Sequence, residues 1–300
     1  MNRIQLVRLF QTISNTNIFG TAKSMRYLSY LLLKKPTGKI VAETINGFSV
    51  WVDPAFDKSG LEHDIYFLGT YEKGTVSVME NFLQPTDNFI DVGANIGFVS
   101  LAAAKFCSQG KVFSFEANPD TFKILEENIR LNNFKNIQPY SMGLGSEKSV
   151  LKIFPNTLKN NRGGASMVQS DLNKDEVGVE VAIDKLDNVL DGNTTISMMK
   201  IDVEGFEMEV LKGATALLSS KNAPALIVEC SESRNNLNFT PVELYRYLLG
   251  VNNYKIFKLE LGKERLSKLV EVKGESDIPF HDNLFCFLPQ QVNRLKKILK

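Results

Sequence analysis

Short apolar runs and amphipathic stretches alternate along most of the chain. From residue 88 onward, each run rich in β-branched and aromatic residues is followed by a stretch with apolar positions at helical spacing. Such alternation is typical of a parallel sheet with helices on both faces, so it predicts a doubly wound α/β fold. The expected strands are 88–92, 111–116, 136–142, 197–203, 225–230, 255–260 and 283–288, and the expected helices are 97–106, 120–132, 206–218 and 241–249.

The residues before this alternation follow other patterns. Ile4, Val7 and Phe10 recur every three positions, which predicts an amphipathic N-terminal helix. Residues 48–52 alternate like a half-buried strand, and residues 71–83 return to helical spacing. We therefore expect three parts, namely an N-terminal helical extension over 1–45, lead-in strands and a helix over 46–84, and the main domain over 85–300.

A glycine turn joins the first strand of the main domain to its first helix. Gly93 would let the backbone pass close to a ligand, and Gly97 would let the helix start pack against the strand. The G-x-G-x-x-G spacing of dinucleotide sites is absent, and Asp91 would repel a pyrophosphate. Asp91 suits the ammonium and sulfonium of S-adenosylmethionine better. An NAD(P)-dependent oxidoreductase and a non-catalytic nucleoside-binding module remain as alternatives.

Glu116 ends the second strand of the main domain. An acidic residue at this position can accept hydrogen bonds from both hydroxyls of a ribose. Methyl-donor and nicotinamide enzymes share the feature, so it indicates a nucleoside without naming it. The alternative is a surface acid that caps the following turn.

Three charged residues, Lys200, Asp202 and Glu204, mark the end of the fourth strand. Methyl transfer is an in-line displacement, so holding donor and acceptor collinear supplies much of the catalysis. A carboxylate that takes a proton also assists a hydroxyl acceptor. We therefore expect Asp202 or Glu204 to orient or deprotonate the acceptor, with Lys200 paired to one of them. The alternative is that these charges cap the next helix.

Other side chains offer less chemistry. Asp202 and Glu204 could supply two oxygen ligands, but no third is evident, so no metal is expected. Of the two histidines, His281 is the better candidate, because it precedes a strand near the acceptor side. The glycine-containing stretch 160–166 is either a flexible lid over the acceptor or a plain turn.

Charge and cysteine content bound the partners and the compartment. The net charge of +1 gives no indication of nucleic-acid binding. No acidic residue precedes Glu43, and both ends of the chain are basic. This pattern indicates either peripheral contact with an anionic membrane or simply a solvated surface. Three scattered cysteines and the lack of a signal or spanning segment favour a cytoplasmic protein, and the oligomeric state stays open.

Several segments together resemble the FkbM family of methyltransferases. The resemblance covers residues 65–235, and residues 116–119 depart from the usual Glu-Pro-Asn-Pro at Ala117. The segments that carry it are Tyr71-Glu72, Ile90–Gly97, Glu116–Pro119, Phe122, Leu125, Asn128, Leu131-Asn132, Gly143–Gly145, Gly163–Ser166, Leu186-Asp187, Lys200–Gly205, Leu211–Gly213 and Glu229.

The resemblance implies an S-adenosylmethionine-dependent O-methyltransferase that acts on a hydroxyl of a sugar, a glycan or a secondary metabolite. It implies that Glu72 reaches the donor's amino group and that Gly143 and Leu144 flank adenine. The remaining donor-binding residues implied in this way are Asp91, Gly93, Asn95, Gly97, Glu116, Ala117 and Asn118.

Overall fold

The computed structural model describes residues 2–14, 27–28, 30–33, 36–57, 60–154, 177–192, 194–231, 239–295 and 297–300. In chain order, the helices and strands are α1 (Arg3–Ser14), β1 (Ile40–Glu43), β2 (Ser49–Val52), α2 (Leu61–Leu68), α3 (Lys73–Phe82), β3 (Phe89–Val92), α4 (Phe98–Phe106), β4 (Val112–Phe115), α5 (Pro119–Leu131), β5 (Ile137–Tyr140), β6 (Gly143–Leu144), β7 (Ser149–Ile153), β8 (Val179–Asp184), α6 (Leu186–Val189), β9 (Met198–Ile201), α7 (Glu207–Lys212), α8 (Thr215–Leu218), β10 (Ala225–Ser231), α9 (Pro241–Val251), β11 (Lys255–Leu259), β12 (Leu269–Glu271) and β13 (His281–Phe287). Two 3-10 helices lie on either side of β13, at Glu275–Asp277 before it and at Val292–Leu295 after it.

The largest sheet of the described residues has eight strands in the order β12-β11-β13-β10-β9-β3-β4-β5. Strands β3, β4, β5, β9 and β10 are parallel, whereas β13, β11 and β12 pair antiparallel. The chain runs outward from β3 through β4 to β5 and then returns to β9 on the other side of β3. This reversal creates a switch point between β3 and β9, where open α/β sheets bind ligands.

Helices cover both faces of this sheet. Along β10, Ala225 and Ile227 belong to one apolar cluster, and Leu226 and Val228 to another. The first cluster includes side chains of α3, α4 and α5, and the second includes those of α7 and α9. Because neighbouring strand residues point to opposite faces, this division places a helical layer on each side. The predicted doubly wound α/β fold is confirmed.

A two-stranded hairpin precedes the main sheet and is attached to α5. Strands β1 and β2 pair antiparallel, with Ile40 opposite Val52. The backbone N–H of Trp51 donates to the side chain of Asn128 at 2.7 Å, and that of Ser49 donates to Asn132 at 2.8 Å. Asn128 on α5 and Asn132, the residue directly after this helix, therefore bind the edge of β2.

Several elements differ from the sequence expectation. Helix α2 and the three-stranded sheet β6-β8-β7 were not predicted. The helix expected over 206–218 is divided at Gly213, where an added Cβ atom would lie 1.9 Å from the carbonyl oxygen of Gly145. The stretch 160–166, expected to form a lid or a turn, lies outside the described residues. No helix in the described ranges combines the length and the apolarity needed to cross a bilayer.

Candidate functional site

One face of the main sheet becomes polar near the carboxyl ends of the parallel strands. In each of four parallel strands, a polar residue lies two positions after a buried apolar residue and therefore points to the same face. These polar residues are Ser114 on β4, Asp91 on β3, Lys200 on β9 and Glu229 on β10. Asn283 occupies the equivalent place on the antiparallel strand β13, directly opposite Glu229. All five are buried. Because this face packs against α3 and α4, the polar side chains lie beneath the start of both helices.

Glycines allow the loops around this edge to approach one another. Gly93 has φ +81°, and an added Cβ atom would lie 1.9 Å from the backbone oxygen of Asp202. Gly97 has φ +94°, and its added Cβ atom would lie 2.6 Å from Leu125 on α5. The expectation that Gly97 accommodates the strand was therefore wrong, since the neighbour that excludes a side chain there is a helix residue.

Glu116 is held by two backbone donors. The N–H of Asn95 donates to Oε2 and the N–H of Asn118 donates to Oε1, each at 2.8 Å. Burial raises the pKa of Glu116 to about 7, although these two donors oppose the rise. Each carboxylate oxygen can accept a second hydrogen bond, so the group can receive two ligand hydroxyls. The side chain that caps α5 is Asn118, which accepts from the N–H of Asp120 at 3.0 Å.

A groove runs past Glu116 and has mainly apolar walls. We call it the donor groove; it encloses about 570 Å³ including its open mouth. The predicted adenine neighbours Gly143 and Leu144 line it, as do Asn95 and Ala117. Its other lining residues are Val92, Gly93, Phe115, Glu116, Met142, Ile153, Asp202, Val203, Glu204 and Phe206. Apolar walls beside a fixed carboxylate suit a nucleoside.

Asp91 lies beneath the groove and does not form part of its wall. It is 1% exposed, and its Oδ2 atom accepts a hydrogen bond from the hydroxyl of Ser100 at 2.6 Å. Oδ1 has no hydrogen-bond partner within the described part of the chain. Burial raises the pKa of Asp91 to about 6, and the ammonium of Lys200 opposes this rise. A buried acceptor atom of this kind fits a cationic ligand above it.

The predicted ion pair at the end of β9 is present. Nζ of Lys200 lies 2.7 Å from Oδ2 of Asp202, and the Lys200 side chain is 4% exposed. Burial alone would lower the pKa of Lys200, but the carboxylates of Asp202, Glu72 and Asp91 raise it above its usual value. Lys200 is therefore a permanent cation at the switch point.

The turn after Asp202 depends on an acidic residue that sequence reasoning did not assign. Oε1 of Glu207 accepts from the N–H groups of Val203 at 3.0 Å and Gly205 at 3.1 Å. Glu204 itself adopts φ +58°, a left-handed conformation that is costly for a residue with a side chain. The strained turn brings Glu204 to the wall of both cavities.

A second, more polar cavity adjoins the donor groove. We call it the polar chamber; it shares Gly93, Asn95, Asp202 and Glu204 with the groove. His281 reaches its wall, with Nδ1 2.9 Å from Oγ of Ser231. The other lining residues are Gly60, Leu61, Asp64, Tyr71, Ala94, Phe98, Val99, Lys200, Glu229, Lys263 and Glu264. All three predicted catalytic residues therefore meet at this chamber.

Glu72 lines neither cavity. Its backbone has φ +40°, and its side chain is fully buried. Oε1 lies 3.0 Å from Nζ of Lys263, and Oε2 accepts from the amide of Asn283 at 3.1 Å. Sequence reasoning missed both partners, although Asn283, a polar residue at the start of a predicted strand, was a visible signal. Direct contact between Glu72 and a donor stays a prediction.

Three carboxylates form a cluster at the chamber wall. Asp202, Glu204 and Glu229 each offer an oxygen atom, and these atoms lie within 4.8 Å of one another. Glu229 is the third acid that the sequence pattern did not reveal. Lys200 and Lys263 already pair with two members of the cluster, and such groups are common without an ion. The absence of a metal therefore stays a prediction.

Comparison with known proteins gives one family and several relatives. Residues 91–259, more than half of the chain, match the Methyltransferase FkbM domain. Methyltransferase sdnD of Sordaria araneosa is 32% identical over 162 residues, covering 43% of this chain and 61% of the relative. Hexuronic acid methyltransferase AglP of Haloferax volcanii is 31% identical over 157 residues, covering 50% and 59%. The chain thus spans about three fifths of the length of these two relatives.

Among solved structures, the chain is similar to that of M. jannaschii TYW2 in complex with AdoMet. It is 14% identical, with a TM-score of 0.41, and the match covers 85% of this chain and 86% of that one.

Proposed function

Since the chain belongs to the FkbM methyltransferase domain family, whose methyl donor is S-adenosylmethionine, we propose that it methylates a hydroxyl of a sugar, a glycan or a secondary metabolite. The observation that carries the proposal is the junction of two different cavities. The donor groove has apolar walls and a fixed carboxylate, and the polar chamber has charged walls. They share the ends of β3 and β9, where a transferred group would have to pass. The hexuronic acid methyltransferase among the relatives supports a sugar acceptor.

The residues of the donor groove fit the donor's nucleoside. Glu116 would accept the two ribose hydroxyls, because both of its oxygens are fixed and retain acceptor capacity. Gly143 and Leu144 would lie along the adenine. Gly93 and Asn95 would pass under the sulfonium end, above the buried carboxylate of Asp91.

Bound S-adenosylmethionine supplies a methyl group activated by a positively charged sulfur. The chain's own contribution is to orient the acceptor and take its proton. Lys200 fixes the carboxylate of Asp202, which makes Asp202 suited to orient the hydroxyl. Glu204 would accept the hydroxyl proton as the oxygen–carbon bond replaces the donor's sulfur–carbon bond, and it would then release that proton to water.

Isothermal titration with S-adenosylmethionine and with S-adenosylhomocysteine tests the donor site. We expect both to bind, and we expect Glu116→Ala and Asp91→Ala to weaken binding at least about tenfold without unfolding the protein. Glu271→Ala is the matched control, because Glu271 is an exposed carboxylate on β12 that lines neither cavity. Failure of both ligands to bind at millimolar concentration would remove the proposal.

The two alternatives predict different behaviour. The family match and the missing G-x-G-x-x-G spacing weigh against an NAD(P)-dependent oxidoreductase. A non-catalytic nucleoside-binding module would bind the donor without turning it over. Incubation with isotopically labelled donor and a panel of sugar, glycan and metabolite hydroxyls, followed by mass spectrometry, separates that module from an enzyme and identifies the methylated atom.

We also propose that the N-terminal segment contacts anionic lipid. Leu9, Tyr27, Leu31 and Leu32 are between 46% and 65% exposed, and no acidic residue precedes Glu43. Exposed apolar side chains in a segment with only basic charges suit an anionic bilayer surface. This contact would bring the enzyme to a membrane-borne acceptor.

Vesicle flotation tests the lipid contact. We expect salt-sensitive binding to phosphatidylglycerol vesicles, weak binding to phosphatidylcholine vesicles, and loss of binding on Leu31→Ser with Leu32→Ser. Leu249→Ser is the control, because Leu249 is also exposed, at 46%, but lies on α9, outside this segment. Equal flotation with both lipids, or with neither, would contradict the proposal.

A further inference from the structure

Lys263 lies between two acidic side chains from distant parts of the sequence. Its Nζ atom is 3.0 Å from Oε1 of Glu72 and 3.0 Å from Oε1 of Glu229. None of the three side chains is more than 11% exposed. The contact with Glu229 is also a hydrogen bond, whereas that with Glu72 is an ion pair. Because opposite charges attract strongly in a poorly solvated environment, one ammonium holds both carboxylates.

The backbone around Lys263 is docked as firmly as its side chain. Its N–H donates to Oδ1 of Asp282 at 3.0 Å, and its carbonyl oxygen accepts from the N–H of Gly74 at 2.8 Å. An added Cβ atom at Gly74 would lie 2.5 Å from the carbonyl oxygen of Arg265. The loop between β11 and β12 therefore rests directly on the first turn of α3.

Glu72, one of the two acids that pair with Lys263, is also held at its other carboxylate oxygen. The amide of Asn283 donates to Oε2 of Glu72 at 3.1 Å and to Oγ1 of Thr75 at 3.0 Å. Glu72 thus keeps a left-handed backbone, φ +40°, with its carboxylate oxygens bound from two sides. Strained residues that surrounding contacts hold in place concentrate at functional sites.

We propose that Lys263 is a positioning residue for methyl transfer, which holds the carboxylates of Glu72 and Glu229 in place beside Lys200 and Asp202. The inference rests on the proposed function, because it assigns Lys263 to the site of that reaction. Lys263 lies outside the residues that match the family, so the chain's tail contributes it. It joins the lead-in helix, the core of the sheet and the C-terminal strands at the wall of the polar chamber.

Removing the ammonium would leave two buried carboxylates facing each other. Like charges at short distance cannot both stay ionised in a buried setting, so one carboxyl would take up a proton or move. Other titratable groups face these two carboxyls and influence how readily one of them takes up a proton. They are Tyr71, Lys200, Asp202, Glu264, His281 and Asp282.

Titration calorimetry of the full-length protein with S-adenosylmethionine, run in two buffers of different ionisation enthalpy, tests this role. Lys263→Met should weaken binding at pH 7 about tenfold and release additional protons on binding, because an extra protonated carboxyl must ionise. Lys263→Arg should restore both values, since a guanidinium can bind two carboxylates. Lys273→Met is the control, because Lys273 is exposed and lines neither cavity.

Unchanged or tighter binding by Lys263→Met, with wild-type proton release, would overturn the inference. Circular dichroism checks that the variant folds. If it does not, the pair Lys263→Met with Glu229→Gln removes one of the two facing carboxylates and with it their repulsion, and it should fold and still bind weakly; wild-type affinity in that pair would equally overturn the inference. Failure of the wild-type protein to bind would sink the proposed function instead, so the two failures are distinguishable.

Discussion

Left-handed residues other than glycine gather at the candidate site. Four such residues occur in the described ranges, and Glu72, Asn95 and Glu204 lie at or beside the two cavities. Each such conformation costs on the order of 1–3 kcal/mol unless neighbours offset it. At Asn95 the N–H that results from this backbone shape donates to Glu116. These strained backbone conformations therefore orient backbone donors and carboxylates at the candidate site.

Donor binding should depend on pH through Glu116. Burial raises the pKa of Glu116 to about 7, and ribose hydroxyls donate best to the ionised carboxylate. Affinity for S-adenosylmethionine should therefore fall as pH decreases from 8 to 6, approaching about tenfold per unit below the pKa. Titration calorimetry at several pH values measures this.

Glu116→Gln is the matched variant for that measurement. It should bind more weakly at pH 8 and show a shallower pH dependence, with the remainder due to Asp91, whose pKa is raised to about 6 by burial. A wild-type affinity that stays constant between pH 6 and 8 would show that Glu116 does not receive the ribose.

At the scale of elements, the close approach of two loops creates the site. The turn after β3 and the turn after β9 touch at Gly93, where no side chain can be accommodated. The same contact makes these two turns a common wall of the donor groove and the polar chamber. In the proposed function, the distance between donor and acceptor would thus be set by the packing of two parallel strands rather than by mobile side chains.

Gly93→Ala should damage both stability and donor binding. The new Cβ atom would meet the carbonyl of Asp202 at 1.9 Å in a backbone conformation with φ +81°. We expect a loss of at least about 2 kcal/mol in unfolding free energy and no detectable donor binding at concentrations that saturate the wild type. Chemical denaturation and calorimetry measure the two effects.

Gly250→Ala is the control for that substitution. Gly250 lies in the last turn of α9 with no atom within 4 Å of an added Cβ, so alanine should be neutral or slightly stabilising there. A Gly93→Ala protein as stable as Gly250→Ala would mean that the two turns do not pack as described.

Local patterns predict the strands of the main sheet other than β12, and the residues at its carboxyl edge. Glu116, Lys200 and Asp202 were identifiable because each ends a strand or starts a turn in the sequence. Lys263 was not, since its partners lie far away in sequence and no periodicity marks it. The antiparallel direction of β13 likewise follows from long-range pairing, which alternation along the chain does not encode.

At the scale of the whole molecule, several buried carboxyls are harder to ionise than usual. Burial raises the pKa values of Glu116 and Glu207 to about 7, and burial together with the charge of Asp202 raises that of Glu229 to about 8. Asp91 follows at about 6. These carboxyls therefore take up protons at a higher pH than exposed carboxyls do. A cationic donor would favour their ionised forms.

Stability should accordingly fall as pH rises from 5 to 8. A carboxyl whose pKa is higher in the folded state contributes stability that is complete below its unfolded pKa and lost as pH passes the folded pKa. We expect the melting temperature to be a few degrees higher at pH 6 than at pH 8, and S-adenosylmethionine to narrow the gap. A melting temperature that increases over this range would contradict the raised pKa values of these buried carboxyls.

Chelation should leave activity unchanged. Lys200 and Lys263 already neutralise part of the Asp202, Glu204 and Glu229 cluster, so the site needs no cation to hold its shape. Turnover of labelled donor measured with and without EDTA checks this. Loss of turnover with EDTA, restored by a divalent ion, would assign the cluster to a metal.

A crystal structure with S-adenosylhomocysteine tests the account most directly. It should show both ribose hydroxyls within hydrogen-bond distance of Glu116, the adenine along Gly143 and Leu144, and the sulfur at the junction of the donor groove with the polar chamber. A nucleoside bound elsewhere, or a sulfur separated from Asp202 and Glu204 by the wall of the groove, would contradict it.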